Sequence, residues 1–136
     1  MNHITILLAE DHQVVREGLR DLLKLEPDFE IVGEAENGRQ AVSYASKYCP
    51  DVIVMDIAMP LISGLEATRQ ILKNTPNTKV LVLSSHGDDA YIDQARACGG
   101  SGYLLKQTDI HLLPQAIRDV FHREPFFCPS RPGLPV

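Results

Sequence analysis

Five short apolar runs punctuate the chain, at Ile4–Ala9, Glu30–Gly33, Val52–Met55, Val80–Leu83 and Gly102–Leu105. Each has the length of a strand and is rich in Ile, Val or Leu. The first, third and fourth show almost no polar alternation, which marks strands buried on both faces of a parallel sheet. Between and after the runs, apolar residues return at helical spacing. Val15, Leu19, Leu22 and Leu23 form one stripe, and Ala41, Val42, Ala45 and Tyr48 a second. Leu65, Ile71 and Leu72 make a third, Ile92, Ala95 and Arg96 a fourth, and Leu112, Leu113, Ala116, Ile117 and Val120 a fifth.

The breakers fall between these elements. Asn37-Gly38 opens the second helix, Pro50 precedes the third strand, and Pro76-Asn77 separates the third helix from the fourth strand. Cys98 to Gly102 brings three glycines before the fifth strand. The chain therefore predicts an α/β fold of five strand–helix units, with right-handed crossovers and helices on both faces. From Pro125 onward there are four prolines in twelve residues, which cannot continue a helix. We expect one domain over residues 1–123 and a Pro-rich linker or tail over 124–136.

Composition narrows the function classes. The net charge is −5, so the domain alone is a poor nucleic-acid binder. Three cysteines without a CxxC pair do not suggest a disulfide framework. The run Ile4–Ala9 is too short for a signal-peptide core or a membrane span. A cytoplasmic protein with no membrane partner is expected.

In an open parallel sheet, ligands bind beyond the C-terminal strand ends. The first strand leads into Glu10-Asp11, the third into Asp56, the fourth into Ser84-Ser85 and the fifth into Lys106. Two carboxylates about 4 Å apart repel by about 4 kcal/mol at an effective dielectric near 20. Three of them need a counter-charge or must take up protons. A hard divalent cation such as Mg2+ meets that need, with Lys106 as a second positive charge. A carboxylate nucleophile so placed can form an acyl phosphate. Asp56 stands alone at its strand end and is the best acceptor.

At this point the chain resembles a known family. The runs LLAEDHQVVREGL, DVIVMDIAMP, SGLEATRQI, VLVLSSH and GYLLKQ resemble the receiver domains of two-component response regulators, and most of all the LuxR/FixJ-type (NarL-like) transcription regulators. The resemblance spans about residues 3 to 123. It implies a flavodoxin-like (βα)5 fold with strand order 2-1-3-4-5, and phosphorylation of Asp56 by a sensor histidine kinase. It also implies Mg2+ held by Asp11, Asp56 and the backbone carbonyl of Ala58, with Glu10 acting through water. Lys106, Ser84, Ser85 and Ala58 would meet the phosphoryl group. Ser84 and Tyr103 would form the switch that remodels the surface of the fourth helix, fifth strand and fifth helix. In this family a C-terminal helix-turn-helix domain binds DNA, and phosphorylation often drives pairing into homodimers. Nothing after His122 has helical periodicity, so that DNA-binding domain is not expected within residues 1–136. The likeness extends into Phe126-Phe127-Cys128-Pro129-Ser130, whereas Arg131 to Val136 look foreign to it.

The chain departs from the family pattern in places. Gln107 follows Lys106 where a proline is usual. The loop Leu61-Ile62-Ser63-Gly64 is more apolar than the usual glycine- and aspartate-bearing version. Ala58 and His86 occupy the two positions that tune dephosphorylation. Other readings stay open. Tyr103 could be a packing residue. The chain could be a stand-alone phosphoryl relay or sink. An aspartyl-nucleophile phosphatase would want a second acid at position 58, and a flavin binder would want a Ser/Thr/Gly-rich loop after the first strand. His12 and His86 lack a third soft ligand at suitable spacing, so no zinc site is expected.

Overall fold

The computed structural model describes residues 3–85, 89–107, 109–122 and 126–127. Strands β1 (Ile4–Ala9), β2 (Phe29–Ala35), β3 (Val52–Asp56), β4 (Lys79–Ser84) and β5 (Gly102–Leu105) alternate with helices α1 (Gln13–Lys24), α2 (Gly38–Tyr48), α3 (Gly64–Asn74), α4 (Asp89–Ala97) and α5 (Leu113–Phe121). All strand pairs are parallel. The order is β2-β1-β3-β4-β5, as the resemblance implies, and it continues into a sixth strand, β6 (Phe126–Phe127). This strand lies within the segment 124–136 expected as a Pro-rich linker or tail. Phe126 and Phe127 pair with Gly102 and Tyr103.

The sheet divides two cores by the period-two alternation of its strands. Ile4, Ile6 and Leu8 of β1 pack with Leu19 and Leu23 of α1 and Ile117 and Val120 of α5. Leu7 and Ala9 pack with Ala41 of α2, Ile71 of α3 and Ile92 of α4. β3 splits the same way, Val52 and Val54 to one side, Ile53 and Met55 to the other. Both-face burial explains the unbroken apolar runs.

Three stripe residues stand outside the core. Val15 and Tyr48 are exposed, and Arg96 is exposed on α4. On α1 the buried stripe is Arg16, Leu19 and Leu23 instead. β2 is longer than the apolar run suggested, because the ladder on Ile4–Ala9 runs from Phe29 to Ala35, with Val32 bulged out where the register shifts between Ile6 and Leu7.

Helix starts follow the sequence signals. Asn37 caps α2, its side chain accepting from the Gln40 N–H at 2.8 Å. Ser63 caps α3, accepting from the Glu66 N–H at 3.2 Å. Among the described residues no helix is long and apolar enough to cross a membrane.

Candidate functional site

The four strand ends converge through backbone bonds. The Glu10 N–H donates to the Ala35 carbonyl at 3.0 Å and the Ile57 N–H to the Leu83 carbonyl at 3.1 Å. The Lys106 N–H donates to the Ser84 carbonyl at 2.9 Å. These links set Glu10, Asp56, Ser84 and Lys106 side by side at the C-terminal edge of the sheet.

The side chains meet there. Glu10 is fully buried and Asp56 is 3% exposed. Lys106 Nζ lies 2.7 Å from Glu10 Oε1 and 3.0 Å from Asp56 Oδ1. One ligand atom from each of Glu10, Asp11, His12 and Asp56 lies within 4.8 Å of the others. Asp56 Oδ2 is buried and has no hydrogen-bond partner among the described residues. A buried carboxylate oxygen left so costs free energy unless something neutralises it.

Each of these charges acts on its neighbours. Burial, then the Glu10 charge, push the Asp56 carboxyl up to about 6, although Lys106 opposes the rise. Burial also works to raise Glu10. The Lys106 hydrogen bond, the His12 N–H and the Lys106 charge outweigh it, and Glu10 stays below the usual range. Burial would lower Lys106, but Glu10 and Asp56 hold it protonated above its ordinary value. The site thus has more negative charge than one lysine balances, and its donor set is hard oxygen with one imidazole. That suits a divalent cation.

The other sequence candidates lie around this centre. Ser84 is buried at the end of β4, whereas Ser85 is exposed. Ala58 is exposed, two residues beyond Asp56. Tyr103 is fully buried on β5, in the core that also holds Ile92 and Ala95 of α4. His86 lies outside the described residues, as do Cys128 to Val136.

Three residues of the site were missed in sequence. His12 was set aside, yet its Nδ1 reaches Glu10 Oε2 at 3.3 Å and Asp11 Oδ1 at 3.2 Å. Buried Arg16 donates from Nη1 to the Glu10 carbonyl at 2.9 Å and pairs with Glu34 and Glu36. Its position three and seven residues before Leu19 and Leu23 was the available signal. Buried Asp109 folds the loop that carries Lys106. Its N–H donates to the Leu105 carbonyl at 3.0 Å, and its Oδ2 accepts from the Leu105 N–H at 3.3 Å.

Residues 6–118 match the family described as response regulator receiver domain. The chain belongs to that family. Relatives of this receiver domain include the transcriptional regulatory protein DegU of Brevibacillus brevis, 47% identical over 88% of the chain and 50% of DegU. The transcriptional regulatory protein LiaR of Bacillus subtilis is 39% identical over 90% of the chain and 58% of LiaR. The chain thus spans about half the length of these curated relatives. A LuxR-family two-component response regulator from an Aurantimonas species superposes with a TM-score of 0.91 at 32% identity, over 95% of the receiver and 92% of that chain. The response regulator domain of Thermotoga maritima CheB gives 0.84 at 30% identity, over 91% and 100%.

Proposed function

We propose that Asp56 accepts a phosphoryl group from the phosphohistidine of a sensor histidine kinase. An Asp56 oxygen attacks phosphorus, the P–N bond breaks, and the released imidazole nitrogen takes up a proton from solvent. The observation that carries this reading is Asp56 Oδ2, buried and unpartnered beside Glu10, Asp11 and Lys106. A strand-end acid with a merely structural role would have its oxygens satisfied.

Asp11, Asp56 and the Ala58 carbonyl would hold Mg2+, and Glu10 would act through water. When bound, the ion neutralises charge on the phosphoryl oxygens. Lys106 pairs with a phosphoryl oxygen, and Ser84 and the backbone at Ala58 and Ser85 border the group. Once phosphorylated, Asp56 draws the Ser84 hydroxyl inward. Tyr103, buried on β5, is the second element of this switch and turns with Ser84. The faces of α4, β5 and α5 are the output, a local charge event biasing a two-state element.

The relatives named as transcriptional regulators support a role in transcription. On this reading a helix-turn-helix domain beyond a linker at residues 124–136 binds DNA, and phosphorylation promotes a homodimer in the cytoplasm. Ala58 offers no acid for turnover of phosphate esters, so the receiver is a stoichiometric switch and not a phosphatase.

The test is intact mass after incubation with acetyl phosphate and Mg2+. The wild type gains one phosphoryl group and Asp56→Asn gains none. An unmodified wild type, or an equally modified variant, refutes the assignment.

A further inference from the structure

The imidazole of His12 stands inside the acidic group, and neither the fold nor the phosphoryl chemistry requires it. Its side chain is 69% exposed, so it is not there for packing. Its Nδ1 approaches oxygens from two acids, Glu10 Oε2 at 3.3 Å and Asp11 Oδ1 at 3.2 Å. Charge-assisted hydrogen bonds usually run at about 2.7–2.9 Å, and both separations are longer. They are also the spacing of neighbouring ligand atoms around one shared cation. Bonds of about 2.0–2.1 Å from a tetrahedral cation to nitrogen and oxygen set neighbouring ligand atoms about 3.3 Å apart.

The oxygens are divided in a way that favours a second cation beside Lys106. Lys106 takes Glu10 Oε1 and Asp56 Oδ1. His12 lies against Glu10 Oε2 and Asp11 Oδ1. Asp56 Oδ2, on a side chain only 4% exposed, has no hydrogen-bond partner among the described residues. One ion bound among these atoms would satisfy the orphaned oxygen and use the imidazole.

We infer that His12 is a ligand for a nitrogen-accepting divalent cation such as Zn2+, which competes with Mg2+ for the carboxylates of Glu10, Asp11 and Asp56. Mg2+ prefers oxygen and keeps its waters, so it gains little from an imidazole. Zn2+ binds imidazole strongly. His12 therefore sets which cation the site selects. The inference rests on the reading of the acidic group as the cation site of the phosphoacceptor.

The test measures Zn2+ affinity by competition with a chromophoric chelator and Mg2+ affinity by calorimetry, on the metal-free chain. The proteins are wild type, His12→Ala, His12→Gln, Asp11→Asn and the remote control His122→Ala. The ratio of Zn2+ to Mg2+ affinity should fall about tenfold or more in both His12 variants, and hold in His122→Ala. Asp11→Asn should weaken both ions. In histidine NMR spectra, the His12 ring signals should move with Zn2+ and stay with Mg2+. An unchanged ratio in the His12 variants, or Zn2+ binding that survives Asp11→Asn, overturns the inference. Asp56 phosphorylation by acetyl phosphate is read in parallel. Normal phosphorylation with an unchanged ratio sinks the His12 assignment alone. Absent phosphorylation together with absent Mg2+ binding sinks the underlying reading.

Discussion

Lys106 Nζ lies 3.0 Å from Asp56 Oδ1, yet Asp56 still takes up a proton more readily than an ordinary aspartate. Burial and the Glu10 charge outweigh the lysine. A carboxyl raised from 3.8 to about 6 costs folding free energy as pH rises through that window, because the folded state holds the proton longer. The cost is complete above the folded value and vanishes below the unfolded one. Asp56→Asn removes it. Without divalent cations, that variant should be more stable than wild type by about 1–3 kcal/mol at pH 7.5, with the gain fading toward pH 4. Urea unfolding at the two pH values checks this. A variant equally stabilised at both would show that charge burial is not the cause.

Gly64 opens α3 against the backbone that carries Asp56. A Cβ at Gly64 would sit 2.0 Å from the Asp56 carbonyl oxygen and 2.9 Å from the Ile57 Cα. The Gly64 N–H also donates to the Ile57 carbonyl at 2.8 Å. Backbone cannot give way as a side chain can. Gly64→Ala should cost about 3 kcal/mol or more and slow phosphorylation by acetyl phosphate by displacing Asp56. Thermal melting and the intact-mass time course read the two effects separately.

Leu61 adopts φ of +73° in the same loop, at 72% exposure. The left-handed region costs an L-residue about 1–2 kcal/mol, and glycine avoids this while loosening the unfolded chain. Leu61→Gly should therefore stabilise by about 0.5–1 kcal/mol, since little burial is lost. A lower midpoint in urea would mean that the leucine side chain supports the loop in another way.

Arg118 ties α5 to the turn before β2. It meets Asp28 with two nitrogens, Nε at 3.1 Å and Nη2 at 2.8 Å, and lies over the Phe29 ring at 4.7 Å. The Arg118 hydrogen bond holds the Asp28 carboxyl below its ordinary value. A depressed acid contributes stability above its unfolded pKa and loses it as pH falls through the folded one. Both side chains are partly exposed, so solvent screens the pair. Arg118→Met should cost about 1 kcal/mol at pH 7, and less below the ordinary aspartate range of about 4. Melting curves from pH 7 to pH 3 test the convergence.

The fold was legible because β1, β3 and β4 are buried on both faces and must be apolar throughout. The strand ends follow from those runs, so Asp56 and Lys106 were visible one residue past Met55 and Leu105. What stayed hidden depends on partners rather than on residue type. Ala35 belongs to β2 only through its pairing with Ala9. Phe126 and Phe127 sit among prolines and form a strand only because β5 offers a free edge. His12 has no soft ligand at suitable spacing in sequence, since its neighbours at the site are the carboxylates of Glu10 and Asp11.

Arg16 is the sharpest case, a charged residue on a buried stripe. Apolar periodicity pointed to Val15, which the structure leaves exposed. Arg16 is buried because each end of its guanidinium is used. Nη1 holds the Glu10 carbonyl at 2.9 Å, and Nε meets Glu34 at 3.2 Å. Arg20 adds a second contact to Glu34 at 3.3 Å. Arg16→Met keeps the apolar stem and removes the charge. It leaves a buried carbonyl without its donor and Glu34 with one cation fewer. We expect a loss of about 2–4 kcal/mol. The Glu10-Asp11 turn should also loosen, so Mg2+ affinity measured by calorimetry should fall in variant protein that is still fully folded by circular dichroism. Glu34→Gln breaks the outer contact but spares the Glu10 carbonyl, so it should lose stability with less effect on Mg2+. If the two variants weaken Mg2+ alike, Arg16 acts through general stability and not through its hold on the turn.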